Sequence, residues 1–146
     1  TGEDIEADSL LTLMPLVLGA RLPQGHFEAM VKRLEHGGYL TEYGVATEPL
    51  TSPHYVSNGY WRGPIWAPTT MLIIDGLRHG GRSDLAGILA SRFLATCAKS
   101  GMAENFDART GDGLRDRSMT WTASVYLTLL GDKGTGTPPR RQVAQA

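Results

Sequence analysis

A short run from Asn58 to Trp66 concentrates aromatic rings around one arginine and a Gly-Pro turn, in the order Asn-Gly-Tyr-Trp-Arg-Gly-Pro-Ile-Trp. This combination suits a sugar, because the C–H face of a sugar ring packs on an indole while its hydroxyls need fixed hydrogen-bond partners. Arg62 offers a planar fork of donors for those hydroxyls or for a nearby carboxylate. The simpler alternative is that Trp61 and Trp66 are core residues flanking the start of a helix.

A second candidate is the sequence Glu-Asn-Phe-Asp at 104–107, followed by Thr-Gly-Asp-Gly at 110–113. An acid held in a loop by a rigid scaffold can act as a general base on water, and Glu104 is the candidate for that role. The residues that follow are typical of turns. A calcium loop is excluded, because Arg109 and Gly111 stand where oxygen ligands are required. The simpler alternative for Glu104 is a solvated loop acid.

Composition argues against several other classes of function. The 146-residue chain has 14 Lys and Arg against 15 Asp and Glu, a net charge of −1, so we expect no nucleic-acid partner. Cys97 is the single cysteine, which excludes an intramolecular disulfide and a cysteine-based zinc site. The four histidines lack metal-ligand spacing, and no phosphate-binding glycine loop occurs. We therefore expect no metal and no cofactor.

The longest apolar run near the start, Leu10 to Ala20, is about half a membrane span and contains Pro15. It also lacks the basic residues that precede the core of a signal peptide. We therefore expect no membrane partner and a cytoplasmic location. Because the first residue is Thr1 rather than Met, we also expect a processed, trimmed or excerpted polypeptide.

Five segments with helical apolar spacing must position these candidates. Prolines precede or open two of them and glycine pairs follow two, as helix starts and ends require. Asp8 or Ser9 can cap the first helix, but Pro15 removes a backbone donor inside it, so that it either starts late or is kinked. The predicted helices cover roughly residues 10–18, 27–34, 67–78, 84–99 and 120–130.

The segments between and after the helices differ in character. Residues 39–65 show no sustained period and hold four of the five tyrosines, which favours a functional loop over disorder. No segment alternates apolar and polar residues clearly enough to predict a strand. Residues 132–146 show no periodic spacing of apolar residues and have few apolar side chains that a core could bury. We therefore expect a domain portion over 1–131 followed by a disordered tail. The helix at 67–78 is apolar on more than one side, as is typical of the interior of a larger domain.

Taken together, these motifs resemble the C-terminal half of an (α/α)6-toroid glycosidase. Their order and spacing are similar to glycoside hydrolase family 63 and its bacterial mannosylglycerate- and glucosylglycerate-hydrolase-like branch. The resemblance implies an all-α fold, a partial toroid of about five helices with long loops. The motifs that carry it are Asp-Ser-Leu at 8–10, Thr-Glu-Tyr-Gly at 41–44, Tyr-Trp-Arg-Gly-Pro-Ile-Trp at 60–66, Glu-Asn-Phe-Asp at 104–107 with Thr-Gly-x-Gly at 110–113, and Trp-Thr-Ala at 121–123.

The resemblance implies an inverting α-glycosidase, in which a general-acid Asp and a general-base Glu lie roughly 6.5–9.5 Å apart with a water between them. The Glu of the family's Glu-Asn-aromatic motif corresponds to Glu104, which is the expected general base. The family's general acid lies upstream in a Gly-x-Asp-Asn-type motif, and neither Asp4 nor Asp8 has that context. The residues expected to bind the substrate are Tyr43, Tyr60, Trp61, Arg62, Trp66 and Trp121.

Three hypotheses remain open from the sequence. The first is the C-terminal part of a glycosidase for α-glucosides or α-mannosides, which is inactive without its partner, the missing N-terminal half of the toroid. The second is a non-catalytic, truncated helical module that binds carbohydrate or a protein partner. The third is a toroid fragment without sugar chemistry, which predicts no carboxylate facing the cleft near Trp61.

Overall fold

Five helices and one two-stranded hairpin make up residues 8–135, the part of the chain that the computed structural model describes. This confirms the all-α class, and within this part no helix is long and apolar enough to cross a membrane. The elements in chain order are a 3₁₀ helix over Leu10–Arg21, α1 over Gln24–His36, α2 over Ala67–His79, α3 over Ser83–Ser100, β1 over Asn105–Phe106, β2 over Gly113–Leu114 and α4 over Thr120–Thr135.

The first helix differs in type from the α-helix that its spacing predicts. A 3₁₀ helix has three residues per turn, so every third side chain faces the core. Val17 and Leu18, which an α-helical period would bury, are 40% and 47% exposed. Ser9 caps the start by accepting a hydrogen bond from a backbone N–H, as predicted. The buried residues of the helix are Leu10, Leu13, Leu16 and Gly19.

Two glycines bring the 3₁₀ helix and α2 into backbone contact. A Cβ at Gly76 would collide with the carbonyl oxygen of Leu16, and one at Gly19 would lie 2.6 Å from the Cβ of His79. Gly19 also has a φ of 52°, a conformation that favours glycine and interrupts the helix. The two elements can therefore pack this closely only because both positions lack a side chain.

Helix α2 is the centre of the core, as its apolar sequence predicts. It packs against the 3₁₀ helix, α3 and α4. Ile73, Ile74 and Leu77 are fully buried on more than one side of the helix. From α3, Phe93 extends the core to the hairpin by an edge-to-face contact of 5.9 Å between its ring centroid and that of Phe106.

The connecting segments hold short antiparallel pairings that alternation did not predict. In the hairpin, Asn105 pairs with Leu114 and Phe106 with Gly113. We call residues 39–65, the segment that holds four tyrosines and Trp61, the aromatic loop. A separate bridge joins Ile65, at the end of the aromatic loop, to Phe106. Single bridges of this kind are too short to leave a period in the sequence.

The last helix is longer than predicted. Helix α4 continues past Leu130 and Gly131 to Thr135, because one glycine lowers helix stability by only about 1 kcal/mol and does not end a helix by itself. Residues 132–135 of the expected tail are therefore helical. The remainder of that expected tail, 136–146, lies outside the described residues.

Candidate active site

Four aromatic side chains form one cluster, which we call the aromatic cluster: Tyr60, Trp61, Trp66 and Trp121. Trp61 stacks on Trp66 with 4.2 Å between ring centroids and 8° between ring planes. Tyr60 meets Trp66 edge-on at 4.7 Å, and Trp121 reaches it from α4 at 5.6 Å. Trp66 is fully buried whereas Trp61 is 45% exposed, so one ring is the floor and the others form an open surface.

The loop before α2 fixes this cluster by its own hydrogen bonds. The indole N–H of Trp66 donates to the carbonyl oxygen of Tyr60 at 2.9 Å. Tyr60 has a φ of 60°, a left-handed conformation that costs a non-glycine residue about 1–3 kcal/mol and is concentrated at functional sites. Trp66 immediately precedes α2, so the cluster is attached to the most buried helix.

Glu104 lies against the aromatic cluster, directly before β1. Its backbone N–H donates to the carbonyl oxygen of Asp116 at 2.8 Å, and its own carbonyl oxygen accepts from the Trp121 indole at 3.3 Å. Glu104 lies near enough to the Tyr60 phenol to be the main cause that raises the pKa of Tyr60 above its ordinary value, as a hydrogen-bond acceptor for that phenol. Desolvation and the negative charge of Glu104 raise that pKa further, while the positive charge of Arg115 opposes them.

The bridge between Ile65 and Phe106 explains why these groups meet. Ile65 N–H donates to the Phe106 carbonyl oxygen at 2.8 Å, and Phe106 N–H donates back at 3.0 Å. This reciprocal pair joins the aromatic loop to the hairpin, one residue from Trp66 and two from Glu104. A carboxylate beside an open indole surface can accept a proton from a water that attacks a bound sugar.

Two of the expected substrate-binding residues lie outside this arrangement. Arg62 is exposed on the same loop as Trp61. Tyr43 lies elsewhere: its ring packs on Gly111, and the Lys99 ammonium lies 5.2 Å from the ring centroid. The structure thus brings Glu104 together with the four aromatic residues but gives Tyr43 a contact with the hairpin turn.

Two arginines that sequence reasoning missed hold the aromatic loop from the hairpin side. The Arg115 guanidinium lies 4.8 Å from the ring centroid of Tyr60, and the Arg109 guanidinium lies 4.7 Å from that of Tyr55. Each also donates to a loop carbonyl at 3.2 Å, Arg115 to Asn58 and Arg109 to Leu50. No local motif signals such pairs, because the partners come from distant segments.

An apolar pocket of about 290 Å³ opens on the other side of Trp61, toward the 3₁₀ helix. No ionisable side chain lines it and Glu104 is not part of it, so the lining of this pocket offers no group for acid–base chemistry. The pocket is lined by Ser9, Leu10, Leu11, Met14, Thr47, Trp61 and Thr69.

Comparison with known proteins identifies the family of this chain. The family model of the mannosylglycerate hydrolase MGH1-like glycoside hydrolase domain matches residues 1–122. The chain belongs to the MGH1-like glycoside hydrolase family. This range includes Glu104 and every residue of the aromatic cluster. Membership in this family, together with the likeness to a solved family 63 enzyme described below, confirms the resemblance to family 63 glycosidases.

Relatives within the family are longer than this chain. A mannosylglycerate hydrolase of Thermus thermophilus is 29% identical over 126 residues, which cover 86% of this chain and 30% of the relative. A glucosylglycerate hydrolase of Mycolicibacterium hassiacum is 31% identical over 124 residues, which cover 80% of this chain and 27% of the relative. The chain thus spans less than a third of the length of either relative.

The fold agrees with that of a solved family 63 enzyme. The crystal structure of a mannosylglycerate hydrolase from a second strain of Thermus thermophilus, in complex with glucose, matches with a TM-score of 0.78 and 28% sequence identity. The match covers 87% of this chain and 32% of that one. The chain therefore folds as part of an (α/α)6 toroid, as the resemblance implied.

Proposed function

We propose that this chain carries the general base and part of the sugar-binding surface of an inverting α-glycosidase. Glu104 is the base, and the aromatic cluster contacts the sugar. Arg62 and Tyr43, which lie outside the cluster, stay expected substrate contacts. The observation that carries the proposal is the hydrogen bond from the Trp121 indole to Glu104, which places Glu104 beside the exposed rings of the aromatic cluster. The substrate is an α-glucoside or α-mannoside, and the names of the relatives favour a glycoside of glycerate.

The reaction needs a second carboxyl group. Glu104 takes a proton from water as the water attacks the anomeric carbon, and a general acid must protonate the leaving oxygen at the same time. One carboxyl group cannot do both. The family's acid motif, Gly-x-Asp-Asn, does not occur in this sequence. We therefore assign the acid to another part of the toroid and expect the 146-residue chain to be inactive alone.

A chimera tests the proposal. Residues 8–130 replace the matching segment of the crystallised Thermus thermophilus enzyme, and hydrolysis of mannosylglycerate and glucosylglycerate is measured. Glu104→Gln should lower kcat by about 10²–10⁴-fold, the usual contribution of a general base. Glu28→Gln, an exposed change on α1, is the matched control and should leave kcat unchanged. A Glu104→Gln chimera that keeps its full rate contradicts the proposal.

The non-catalytic hypothesis has support from one observation, the exposure of three rings of the aromatic cluster. Calorimetry of the isolated chain with mannose, glucose and their glycerate glycosides separates the two hypotheses. Tight sugar binding by the isolated chain, combined with a Glu104→Gln chimera of full activity, would favour a binding module. The third hypothesis requires Glu104 to lie far from Trp61, and the hydrogen bond that joins Glu104 to Trp121 of the same aromatic cluster argues against it.

This function requires a saccharide and the rest of the toroid as partners. It uses acid–base chemistry alone, so the expectations of no metal, no cofactor, no nucleic acid and no membrane stay predictions that are compatible with it. The cytoplasmic location also stays a prediction.

A further inference from the structure

Arg115 and Tyr60 share an unusual backbone conformation and a contact. Within residues 8–135 they are the two non-glycine residues with positive φ, 62° for Arg115 and 60° for Tyr60. Such conformations persist only where surrounding contacts fix them. Here the two residues contact each other, since the Arg115 guanidinium lies over the Tyr60 ring.

The hairpin brings Arg115 next to Glu104 in space. Asn105 pairs with Leu114 in the antiparallel ladder, and the Glu104 N–H donates to the carbonyl oxygen of Asp116, the residue after Arg115. The ring face of Tyr60 receives the Arg115 guanidinium, and Glu104 raises the pKa of the Tyr60 phenol.

Arg115 also holds the backbone of the aromatic loop. One of its guanidinium nitrogens donates to the carbonyl oxygen of Asn58 at 3.2 Å, two residues before Tyr60. The side chain therefore fixes both the ring and the backbone that leads to it. A planar guanidinium suits this double role, because it stacks on a ring through its face and donates through its edge.

We propose that Arg115 is a positioning residue that holds the Tyr60 phenol beside Glu104. The contacts of Arg115 with the Tyr60 ring and with the Asn58 carbonyl oxygen stand on the geometry alone. The consequence for catalysis rests on the proposed function, since a fixed phenol orients the carboxylate that takes the proton from water.

The chain offers a matched control in Arg109. Arg109 makes the same two kinds of contact, over the ring of Tyr55 and to the carbonyl oxygen of Leu50. Its tyrosine, however, has no contact with Glu104 among the interactions of residues 8–135. Replacing either arginine removes one cation–ring contact and one hydrogen bond to the aromatic loop. Only the Arg115 change should alter the Tyr60–Glu104 contact.

The pKa of the Tyr60 phenol is the direct readout. Tyrosine ring carbons are followed by NMR during an alkaline titration of the full 146-residue chain, and Tyr60→Phe identifies the signal. Glu104 raises this pKa and Arg115 lowers it. If Arg115→Ala removed only a charge, the pKa of Tyr60 would rise. If Arg115 holds the phenol on Glu104, the phenol leaves the carboxylate and the pKa falls toward its ordinary value.

A fall in the pKa of Tyr60 in Arg115→Ala supports the proposal, and a rise or no change overturns it. Arg109→Ala should leave the pKa of Tyr60 unchanged. Arg115→Lys keeps the charge and a donor, so we expect it to restore part of the wild-type value. This readout needs no activity, so it stands even if Glu104 proves not to be the base.

In the active chimera, Arg115→Ala should lower kcat by up to about 10²-fold, the cost of a misplaced catalytic group. In the Glu104→Gln background the same change should have no further effect on kcat, because its effect passes through the carboxylate. An equal loss in both backgrounds would contradict positioning, whereas a Glu104→Gln chimera of full activity would contradict the proposed function instead.

Discussion

The helical layer and the site loops of this protein are stabilised in different ways. The helical layer comprises the 3₁₀ helix and α1–α3, and its contacts are fully buried aliphatic side chains and close backbone approaches at Gly19 and Gly76. The site loops are residues 39–65 and 101–119, which contribute Val45, Ile65 and Phe106 to the core but also carry ring stacks, cation–ring pairs and single bridges. They also contain both non-glycine residues with positive φ in the described part.

This difference matters for how changes in the two regions should affect stability. A left-handed backbone conformation at Tyr60 or Arg115 costs about 1–3 kcal/mol of folding free energy, whereas each half-exposed ring contact contributes about 0.5–1.5 kcal/mol. Burial of a leucine or isoleucine side chain in the helical layer contributes about 1.5–3 kcal/mol. The helical layer therefore offsets the cost of the site, and changes in the two regions should have separable effects.

Leu13→Ala should give the largest loss of stability. Leu13 is buried in the 3₁₀ helix, and its truncation should lower the free energy of unfolding by about 2–5 kcal/mol. Leu11→Ala is the matched control, since Leu11 is the same residue type in the same helix but is 68% exposed. Urea denaturation of both variants measures the difference. Equal losses would show that the three-residue period does not define the buried face.

Gly76→Ala should give the second-largest loss of stability. The free energy of unfolding should fall by about 1–3 kcal/mol, because the added Cβ forces the 3₁₀ helix away from α2. Gly87→Ala in α3 is the control. A Cβ there meets nothing within 4 Å, so its effect should be a gain of about 0.5–1 kcal/mol from the lower flexibility of the unfolded chain. Two losses of similar size would contradict the close backbone contact.

Glu104→Gln should leave stability almost unchanged and alter the site alone. The free energy of unfolding should stay within about 0.5 kcal/mol, as for most changes outside the core. The pKa of Tyr60 should fall, because the negative hydrogen-bond acceptor that raises it is gone. Ultraviolet titration of tyrosinate in the variant, with Glu28→Gln as the control, measures this fall. An unchanged pKa of Tyr60 would show that Glu104 does not act on the Tyr60 phenol.

Asp112→Asn should have the smallest effect, and that effect should depend on pH. Hydrogen bonds from Lys99 and Thr110 hold the pKa of Asp112 below its ordinary value of 3.8. Because this pKa is lower in the folded than in the unfolded chain, the stabilisation is fully present above pH 3.8 and is lost as the pH falls toward the folded pKa. Melting temperatures of variant and wild type should therefore differ at pH 7 and converge in acid.

The sequence predicts the α-helices well because their boundaries have local causes. Pro23 precedes α1 and Gly37 follows it, and Gly80 follows α2. The 3₁₀ helix was not predictable from the same signals. Leu10 and Leu13 fit the spacing of an α-helix and of a 3₁₀ helix equally well. The two kinds of helix are distinguished only by the burial of Leu16 in place of Val17.

The site was predictable in its residue types and not in its contacts. Trp61, Trp66 and Glu104 are found from the chemistry that their side chains offer. Arg115 was missed because its contact with Tyr60 depends on the register of the hairpin, which no local pattern specifies. Tyr43 is predicted from its place in a loop. Its ring packs against Gly111, and its contact with a substrate stays a prediction.

The bridge between Ile65 and Phe106 also has a consequence for the order of folding. Its two residues lie on opposite sides of α2 and α3 in the chain, so the bridge closes a long loop, and loop closure has an entropic cost that local helix formation avoids. We expect the helices to form first and the bridge late. A chain that has its helices but lacks this bridge contains every residue of the site without yet having its geometry.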